Sequence, residues 1–303
     1  MTDRILEISE EAARLSVRTG LLVIACPDRD EVTVPMADIG VIVVSHPRVT
    51  YTQAVLAELV ARGGAFVACD QRHLPVGMLL PLDAHYVQTE RFAVQAQAPL
   101  PMRKRLWRQI VRAKVRAQGA LLASLYGNDH GLSALAAGVR SGDAANVEAY
   151  ASRRYWPALF ADPKFRRDRE AEDQNRLLNY GYAILRAIVA RAIAAAGLHP
   201  SLGLHHHNRY NSFCLADDLM EPFRPLVDKA VCELVREAGP AVALDRAAKT
   251  ALLQAVTGRI TVDGESRTTF DAASIAASSL VAVLEKRSKG LVLPEFQFDA
   301  KAT

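Results

Sequence analysis

Residues 83–118, DAHYVQTERFAVQAQAPLPMRKRLWRQIVRAKVRAQ, contain the point at which the character of the chain changes. Up to residue 82 the sequence is made of short strand-like apolar runs. From Pro99 onward, Ala, Leu, Arg and Glu recur at a period near 3.6. The sequence therefore predicts an α+β fold, with a small N-terminal β-rich domain (residues 1–82), a linker (83–98) and a larger, mainly α-helical catalytic domain (99–303).

Turn signals divide the N-terminal region into strands. RLSVRTGLLVIAC (14–26) has Thr19-Gly20 between two apolar runs, which indicates a hairpin. TYTQAVLAELVARGG (50–64) predicts a short amphipathic helix that ends at two glycines. AFVACD and PVGMLLPL predict two further strands. Later in the chain, RITVDGESRTTF predicts one more hairpin around Asp263-Gly264, and a final amphipathic helix ends before Gly290.

The composition is that of a folded globular protein with a mild basic excess. Of the 303 residues, 50% are hydrophobic and 23% are charged, and the net charge is +4. The dispersed cysteines predict free thiols in a reducing compartment, and they are Cys26, Cys69, Cys214 and Cys232. The charged N-terminus indicates no signal peptide, and Arg186 and Arg191 interrupt the most apolar helix. We therefore expect a cytoplasmic protein with no membrane partner.

LHHHNRYNSFCLADDLMEPFRP (204–225) concentrates residue types that bind metals. If a helix begins near Ser212, Asp218 and Glu221 share a face, but Asp217 and Glu221 could do so equally well. Carboxylates together with a histidine suit Mg²⁺ or Mn²⁺ better than zinc. The alternative is that the acidic residues only complement the helix dipole and that the histidines form a polar loop.

Glu148 lies among apolar residues in AANVEAYASRRYW (144–156), on a strongly helical stretch. A carboxylate that points inward needs a partner, and a divalent cation is one candidate. The alternatives are a salt bridge to Arg153 or Arg154, or exposure to solvent.

PMRKRLWRQIVRAKVRAQ (101–118) has seven basic residues and no acidic one. On a helix, one continuous stripe is formed by Arg105, Arg108, Arg112 and Arg116. Such a stripe suits a phosphate backbone, although a solvated basic face is the common alternative. Further basic residues occur in RRYW (153–156) and KFRRDR (164–169), where Tyr155 and Trp156 could stack on bases.

Three segments together resemble a known family, the CRISPR-associated integrases that insert new spacers during adaptation. They are VEAYASRRYW, DQNRLLNYGYAILRAIVARAIAAAGLHPSLGLHHHN and SFCLADDLMEPFRPLVD. Their order and spacing follow the family pattern over about residues 145–230. The sequence around the histidines is most similar to that of the branch that accompanies type II systems. The family also has a small β domain followed by a helical domain.

The resemblance implies a site with one divalent ion, Mg²⁺ or Mn²⁺. Its ligands would be Glu148, a histidine of the HHHN run and Glu221. His206 fits the family spacing best, with His207 second and His205 third. Asp218 matches a residue at or beside the metal. The implied reaction is a transesterification in which the 3′-hydroxyl of an incoming DNA fragment attacks the CRISPR repeat boundary.

The resemblance also implies partners. Family members act as homodimers on double-stranded DNA, together with a small dimeric partner subunit, and the N-terminal domain would make the dimer contact. Two other functions fit the residues: a non-catalytic DNA-binding scaffold, and a metal phosphodiesterase that acts on other, small substrates. The basic surfaces favour DNA over small substrates.

Overall fold

A computed structural model describes residues 4–298 of the chain. Among these, the N-terminal part contains two four-stranded sheets and one α-helix, α1 (Gln53–Ala61). The strands in chain order are β1 (Arg4–Ile8), β2 (Arg14–Arg18), β3 (Leu21–Ala25), β4 (Val32–Pro35), β5 (Ile39–Val44), β6 (Thr50–Tyr51), β7 (Ala65–Cys69) and β8 (Pro75–Leu79). One sheet has the order β1-β5-β7-β8 and the other β4-β3-β2-β6. The predicted β-rich region with one helix is confirmed.

The two central strands of the sheet β1-β5-β7-β8, β5 and β7, are buried on both faces. In β5, Ile42 belongs to the core of the N-terminal part, whereas Val41 and Val43 belong to the large core formed with the helices. In β7, Phe66 and Val67 divide in the same way. Successive side chains of a strand point to opposite faces, and a strand buried on both faces is apolar throughout. The sheet therefore holds the N-terminal part against the helices.

Both predicted hairpin turns are present. Thr19 and Gly20 have φ of 52° and 74°, and Asp263 and Gly264 have φ of 52° and 76°. Two consecutive residues with positive φ are what a two-residue type I′ turn requires. The second turn joins β9 (Arg259–Val262) to β10 (Glu265–Thr268) in an antiparallel pair.

The rest of the described chain is mainly helical, as predicted. The helices are α2 (Gln88–Ala96), α3 (Leu100–Tyr126), α4 (Leu132–Gly138), α5 (Val147–Leu159), α6 (Asn175–Ala195), α7 (Cys214–Met220), α8 (Arg224–Ala238), α9 (Arg246–Thr257) and α10 (Thr269–Leu284). Helix α6 is long and apolar enough to cross a membrane, but 78% of its apolar window is buried inside the protein. It packs closely on α8, because a Cβ at Gly181 would overlap the Val227 side chain. Helix α6 is thus the central helix of the core.

The predicted linker contains helix α2. Its polar sequence has a structural reason, since α2 is fastened by a buried glutamine. Gln95 Nε2 donates to the carbonyls of His199 (3.0 Å) and Leu202 (2.9 Å), and its Oε1 accepts from the His199 N–H (2.8 Å). The domain boundaries remain a prediction, and residues 1–3 and 299–303 lie outside the described part.

Candidate active site

Glu148 is placed by the first turn of α5. Asp143 caps this helix, because its carboxylate accepts the N–H groups of Val147 (2.9 Å) and Glu148 (2.9 Å). Asn146, just before the helix, has a left-handed φ of 52°. This tight turn before α5 places Glu148 beside helix α3.

The partner of Glu148 is Lys114 of α3. The Lys114 Nζ donates to Glu148 Oε1 at 2.6 Å and forms an ion pair with Glu221 Oε2, also at 2.6 Å. Arg224 Nε lies 3.0 Å from the same Glu221 oxygen. The alternative pairing of Glu148 with Arg153 or Arg154 is wrong, because Arg153 and Arg154 extend from α5 toward Tyr150 and solvent.

These buried charges shift one another's pKa values. Burial alone would lower the pKa of Lys114, but Glu221 and Glu148 outweigh it and the pKa is raised. Burial alone would raise the pKa of Glu221, but Arg224 and Lys114 outweigh it and the pKa is lowered. Lys114 and Glu221 are therefore both ionised at neutral pH.

Lys114 was predicted as part of the basic DNA-binding run, but it lies in the core. Helical phase could have distinguished Lys114 from the arginines of the run. Steps of four, three and four residues connect Trp107, Val111, Lys114 and Gln118, so these side chains lie on one face of the helix. The apolar members of that series are buried, and so are Lys114 and Gln118. A lysine in phase with an apolar stripe is the signal for a buried, paired ammonium.

Asp218 anchors the segment that carries the histidines. Its Oδ2 accepts the N–H groups of Leu204 (2.6 Å) and His205 (2.9 Å), and its Oδ1 accepts the N–H (3.2 Å) and the Nδ1–H (2.6 Å) of His206. A carboxylate has about four lone-pair positions, so both oxygens of this buried side chain are filled. The segment also turns tightly, because a Cβ at Gly203 would overlap the His206 carbonyl and would lie 3.0 Å from Asp218 Oδ2.

The three histidines have different surroundings. His205 stacks on Trp107, with ring centroids 4.2 Å apart, and burial lowers its pKa. The hydrogen bond to Asp218 raises the pKa of His206, and it leaves Nε2 as the ring nitrogen outside that bond. His207 is exposed, and its Nδ1 bonds the His205 carbonyl at 2.8 Å.

Asp217, the other aspartate of the pair, does not face the carboxylate cluster. Its Oδ1 accepts from Arg186 Nε and its Oδ2 from Asn211 Nδ2, each at 2.7 Å. Arg186 is a charged residue within the apolar helix α6, and its ion pair with Asp217 explains its presence there. Of the two aspartates that helical spacing could place beside Glu221, Asp218 is the one that holds the histidine segment.

As placed, no three His, Cys, Asp or Glu side chains between residues 4 and 298 form a group that could hold a metal ion. Glu148 and Glu221 meet on one cation, and His206 meets Asp218 instead of that pair. The donor set still suits Mg²⁺ or Mn²⁺: two carboxylates already hold a cation, and a metal-bound histidine usually donates its other ring N–H to a carboxylate. The residues present therefore fit the implied ion chemically.

A cleft of about 880 Å³ opens beside the carboxylates. Lys114, Glu148 and Glu221 line its floor, and Trp156 with Phe165 gives it an apolar wall. The arginines that line it are Arg153, Arg166, Arg167, Arg169 and Arg224. Arg167 and Arg224 are held by Asn179 and Glu221, whereas the other three form no ion pair within the described chain. The cleft is thus a cationic groove with carboxylates at its base.

Tyr155 was predicted as a base-stacking residue, and this is wrong because it is fully buried. Its hydroxyl donates to Asp228 Oδ2 at 2.7 Å, and the Tyr182 hydroxyl donates to the other oxygen. Arg224 lies over the Tyr182 ring, 4.4 Å from its centroid. Asp228 therefore ties α5 to α6 at the back of the cleft, and Trp156 remains the candidate for stacking.

Asp228 should make the free energy of unfolding depend on pH. Burial raises its pKa from 3.8 to about 6, against the opposing effect of the two tyrosine hydrogen bonds. A carboxyl whose pKa is higher in the folded state stabilises the fold when protonated, and this contribution is lost as pH rises through 6. From about pH 7.5 to about pH 5, the unfolding free energy of the wild type should rise by about 1.4 kcal/mol relative to Asp228→Asn. Urea titrations at both pH values measure it, and a constant difference would contradict the raised pKa.

The predicted arginine stripe lies on the opposite side of α3 from Lys114. Arg105 and Lys114 are nine residues apart, which is two and a half turns and hence half a turn in phase. Among residues 4–298, Arg105, Arg108 and Arg112 form no ion pair. The chain thus has two unneutralised basic surfaces, the cleft and the stripe.

Comparisons with known proteins agree with the resemblance in the sequence. A family model described as CRISPR associated protein Cas1 matches residues 6–241. A CRISPR-associated endonuclease Cas1 of Neisseria meningitidis serogroup C is 38% identical over 267 residues, which cover 87% of each chain. A casposase bound to an integration product has a TM-score of 0.81 over 99% of this chain and 96% of that one, at 18% identity. A chain of a Cas6-RT-Cas1–Cas2 complex has a TM-score of 0.72 at 16% identity, and the match covers 99% of this chain and 36% of that one.

Proposed function

Because the chain belongs to the CRISPR-associated Cas1 family, we propose that it is a divalent-metal-dependent DNA integrase and endonuclease. It inserts foreign DNA fragments as new spacers into a CRISPR array. The observation that carries this proposal is the pair of carboxylates, Glu148 and Glu221, held on one cation at the floor of an arginine-lined cleft.

Glu148, Glu221 and His206 would hold the ion, either Mg²⁺ or Mn²⁺. When bound, such an ion neutralises charge on the reacting phosphate and on the leaving oxygen. Asp218 supports the choice of His206, because it holds Nδ1 and the backbone around it and so presents Nε2. His205 is held by Trp107 and His207 is at the surface, so neither has an equivalent support.

The side chains of the cleft would position the DNA. Arg153, Arg166 and Arg169, which form no ion pair within the described chain, would bind phosphates, and Trp156 offers a partly exposed ring for a base or sugar. A bond forms between the attacking 3′-oxygen and the target phosphorus, and the target's own P–O3′ bond breaks. The attacking hydroxyl loses its proton, and the departing 3′-oxygen gains one. With water as the nucleophile, the same site would act as an endonuclease.

The family also supports the choice of partners. The substrate would be double-stranded DNA, both the incoming fragment and the repeat. The structural neighbour from a complex named with Cas2 supports an assembly with a second protein, here the small dimeric subunit. The homodimer formed through the N-terminal β-rich domain is proposed on the resemblance of the sequence to the family. The protein would act in the cytoplasm, without a membrane partner.

Strand transfer with purified components tests the proposed function. A labelled duplex fragment is incubated with a repeat-bearing plasmid and Mn²⁺ or Mg²⁺, with and without the small partner subunit. Integration at the repeat boundary is the expected result. DNA binding without transfer under every metal and partner condition would instead indicate a scaffold. Hydrolysis of a small phosphodiester that excess duplex DNA does not inhibit would indicate a phosphodiesterase.

The two basic surfaces can be separated experimentally. Replacing Arg153, Arg166 and Arg169 together by Gln should lower the slope of log affinity against log salt by about 2 to 3, because each lost phosphate contact removes about 0.9. It should also slow transfer at saturating DNA, since these residues line the cleft. Replacing Arg105, Arg108 and Arg112 together by Gln should flatten the salt slope similarly but leave saturated transfer close to wild type. An unchanged slope would exclude the stripe as a DNA surface.

A further inference from the structure

The position between Glu148 and Glu221 is already taken by a cation of the protein itself. The Lys114 ammonium lies 2.6 Å from an oxygen of each carboxylate, so those oxygens are at most twice that distance apart. The Lys114 and Glu221 side chains are 10% and 5% exposed. Three elements meet at this nitrogen: α3, the first turn of α5 and the turn between α7 and α8. The ammonium is therefore the centre of the carboxylate pair.

A divalent ion and this ammonium compete for the same oxygens. Mg²⁺ binds carboxylate oxygens at about 2.0–2.1 Å and requires a nearly octahedral shell. An ion on Oε1 of Glu148 and Oε2 of Glu221 would lie within contact distance of Nζ, where both the overlap and the like charges are unfavourable. The ammonium would have to move when the ion binds.

The cleft is open to that movement, because Lys114 lines it. Lys114 and Gln118 line the cleft next to Asn146 and Ser152, which can accept hydrogen bonds. Elsewhere the α3 face that carries Lys114 is buried against the core, with Val111 and Val115 as neighbours in sequence.

We infer that Lys114 is an internal counter-ion of the metal site, which holds Glu148 and Glu221 together until a divalent ion displaces its ammonium into the cleft. This inference rests on the proposed function, because it takes the carboxylate pair as the site of the ion. It assigns Lys114 to positioning the metal ligands and not to binding DNA with the other basic residues of 101–118.

Metal affinity tests the inference. In Lys114→Met the carboxylates lose their counter-ion but the shape of the side chain is nearly kept. Mn²⁺ should bind this variant at least about tenfold more tightly than the wild type by calorimetry, because the ammonium shared by the two carboxylates no longer has to be displaced, and tenfold corresponds to about 1.4 kcal/mol. Mn²⁺ should also raise its melting temperature by more than it raises that of the wild type. An equal or weaker affinity would overturn the inference.

Lys249→Met is the matched control. Lys249 is also buried and pairs with one carboxylate, Glu7, at 3.3 Å, but on the other side of the core between α9 and β1. Its replacement should lower the melting temperature without metal and leave the affinity for Mn²⁺ unchanged. Lys114→Gln, which keeps a hydrogen-bond donor, should show tighter binding in the same direction as Lys114→Met.

The movement of the Lys114 ammonium can also be measured in the wild-type protein. Acetylation of lysines by an amine-reactive reagent, followed by peptide mass spectrometry, should increase several-fold at Lys114 when Mn²⁺ is added, and it should not change at Lys249. Unchanged labelling of Lys114 at saturating Mn²⁺ would show that the ammonium stays in place.

The failure of the inference can be distinguished from failure of the proposed function. Wild-type Mn²⁺ binding that Glu148→Gln abolishes, together with an unaltered affinity in Lys114→Met, would overturn the role of Lys114 alone. Absence of Mn²⁺ binding at these carboxylates in the wild type would overturn both.

Discussion

Glu148→Gln is expected to lower the rate of DNA strand transfer by about 10²–10³-fold, the loss typical when one preorganised electrostatic group is removed from an active site. The variant keeps the size of the side chain and removes one of the two carboxylates that meet at Lys114. Glu221→Gln should have an effect of the same order, because Glu221 is the other half of the pair. Single-turnover transfer at saturating DNA and Mn²⁺ measures both losses.

Glu265→Gln is the control for the loss of one negative charge. Glu265 is exposed on the β9–β10 hairpin, where its partner is Arg267, and its replacement should leave the transfer rate unchanged. If Glu148→Gln and Glu221→Gln both transfer strands at the wild-type rate, the carboxylate pair is not the catalytic site.

Asp218→Asn is expected to lower the affinity for Mn²⁺ by about 10- to 100-fold, the range for residues that orient metal ligands. An amide offers one acceptor oxygen where Asp218 now offers two. The N–H groups of Leu204 and His205, on Oδ2, would then compete for a partner with those of His206, on Oδ1. Calorimetric titration with Mn²⁺ measures the loss, and circular dichroism shows whether the fold is kept.

Asp217→Asn separates this effect from a general effect of charge near the metal. Asp217 is the next residue in the chain, but it pairs with Arg186 and Asn211 and does not hold the histidine segment. Its replacement should change the affinity for Mn²⁺ much less than Asp218→Asn does. If the two variants lose affinity equally, the hydrogen bonds of Asp218 to the histidine segment do not position a ligand.

Helix ends and turns were largely predictable because they depend on local chemistry. Pro99 and Pro101 mark the start of α3, and Gly127, with a φ of 70°, ends it. The two-residue turns at 19–20 and 263–264 follow in the same way from residues that tolerate positive φ. Helix α2 was missed because its attachments, through Gln95 and Arg91, are to residues a hundred or more positions later in the chain.

The candidate site was predictable only as a set of residues from distant segments. Resemblance to a family selected Glu148, His206 and Glu221, and their roles as metal ligands remain a prediction. Residue types alone left Asp217 and Asp218 equivalent, because helical spacing places either one near Glu221. The difference lies in tertiary contacts, since Arg186 of α6 binds one aspartate and the loop at 204–206 folds onto the other.

The sequence by itself determined the β-rich start, the helical remainder, the two hairpin turns, the acidic and histidine-rich segment and the family, because these depend on periodicity, turn chemistry and motif spacing. Only the tertiary structure decided that Lys114 pairs with Glu148 and Glu221 and that Tyr155 is buried against Asp228. The physical reason is burial. A charged or polar side chain in the core must find its partner across the fold, and neither its charge nor its neighbours in sequence identify that partner.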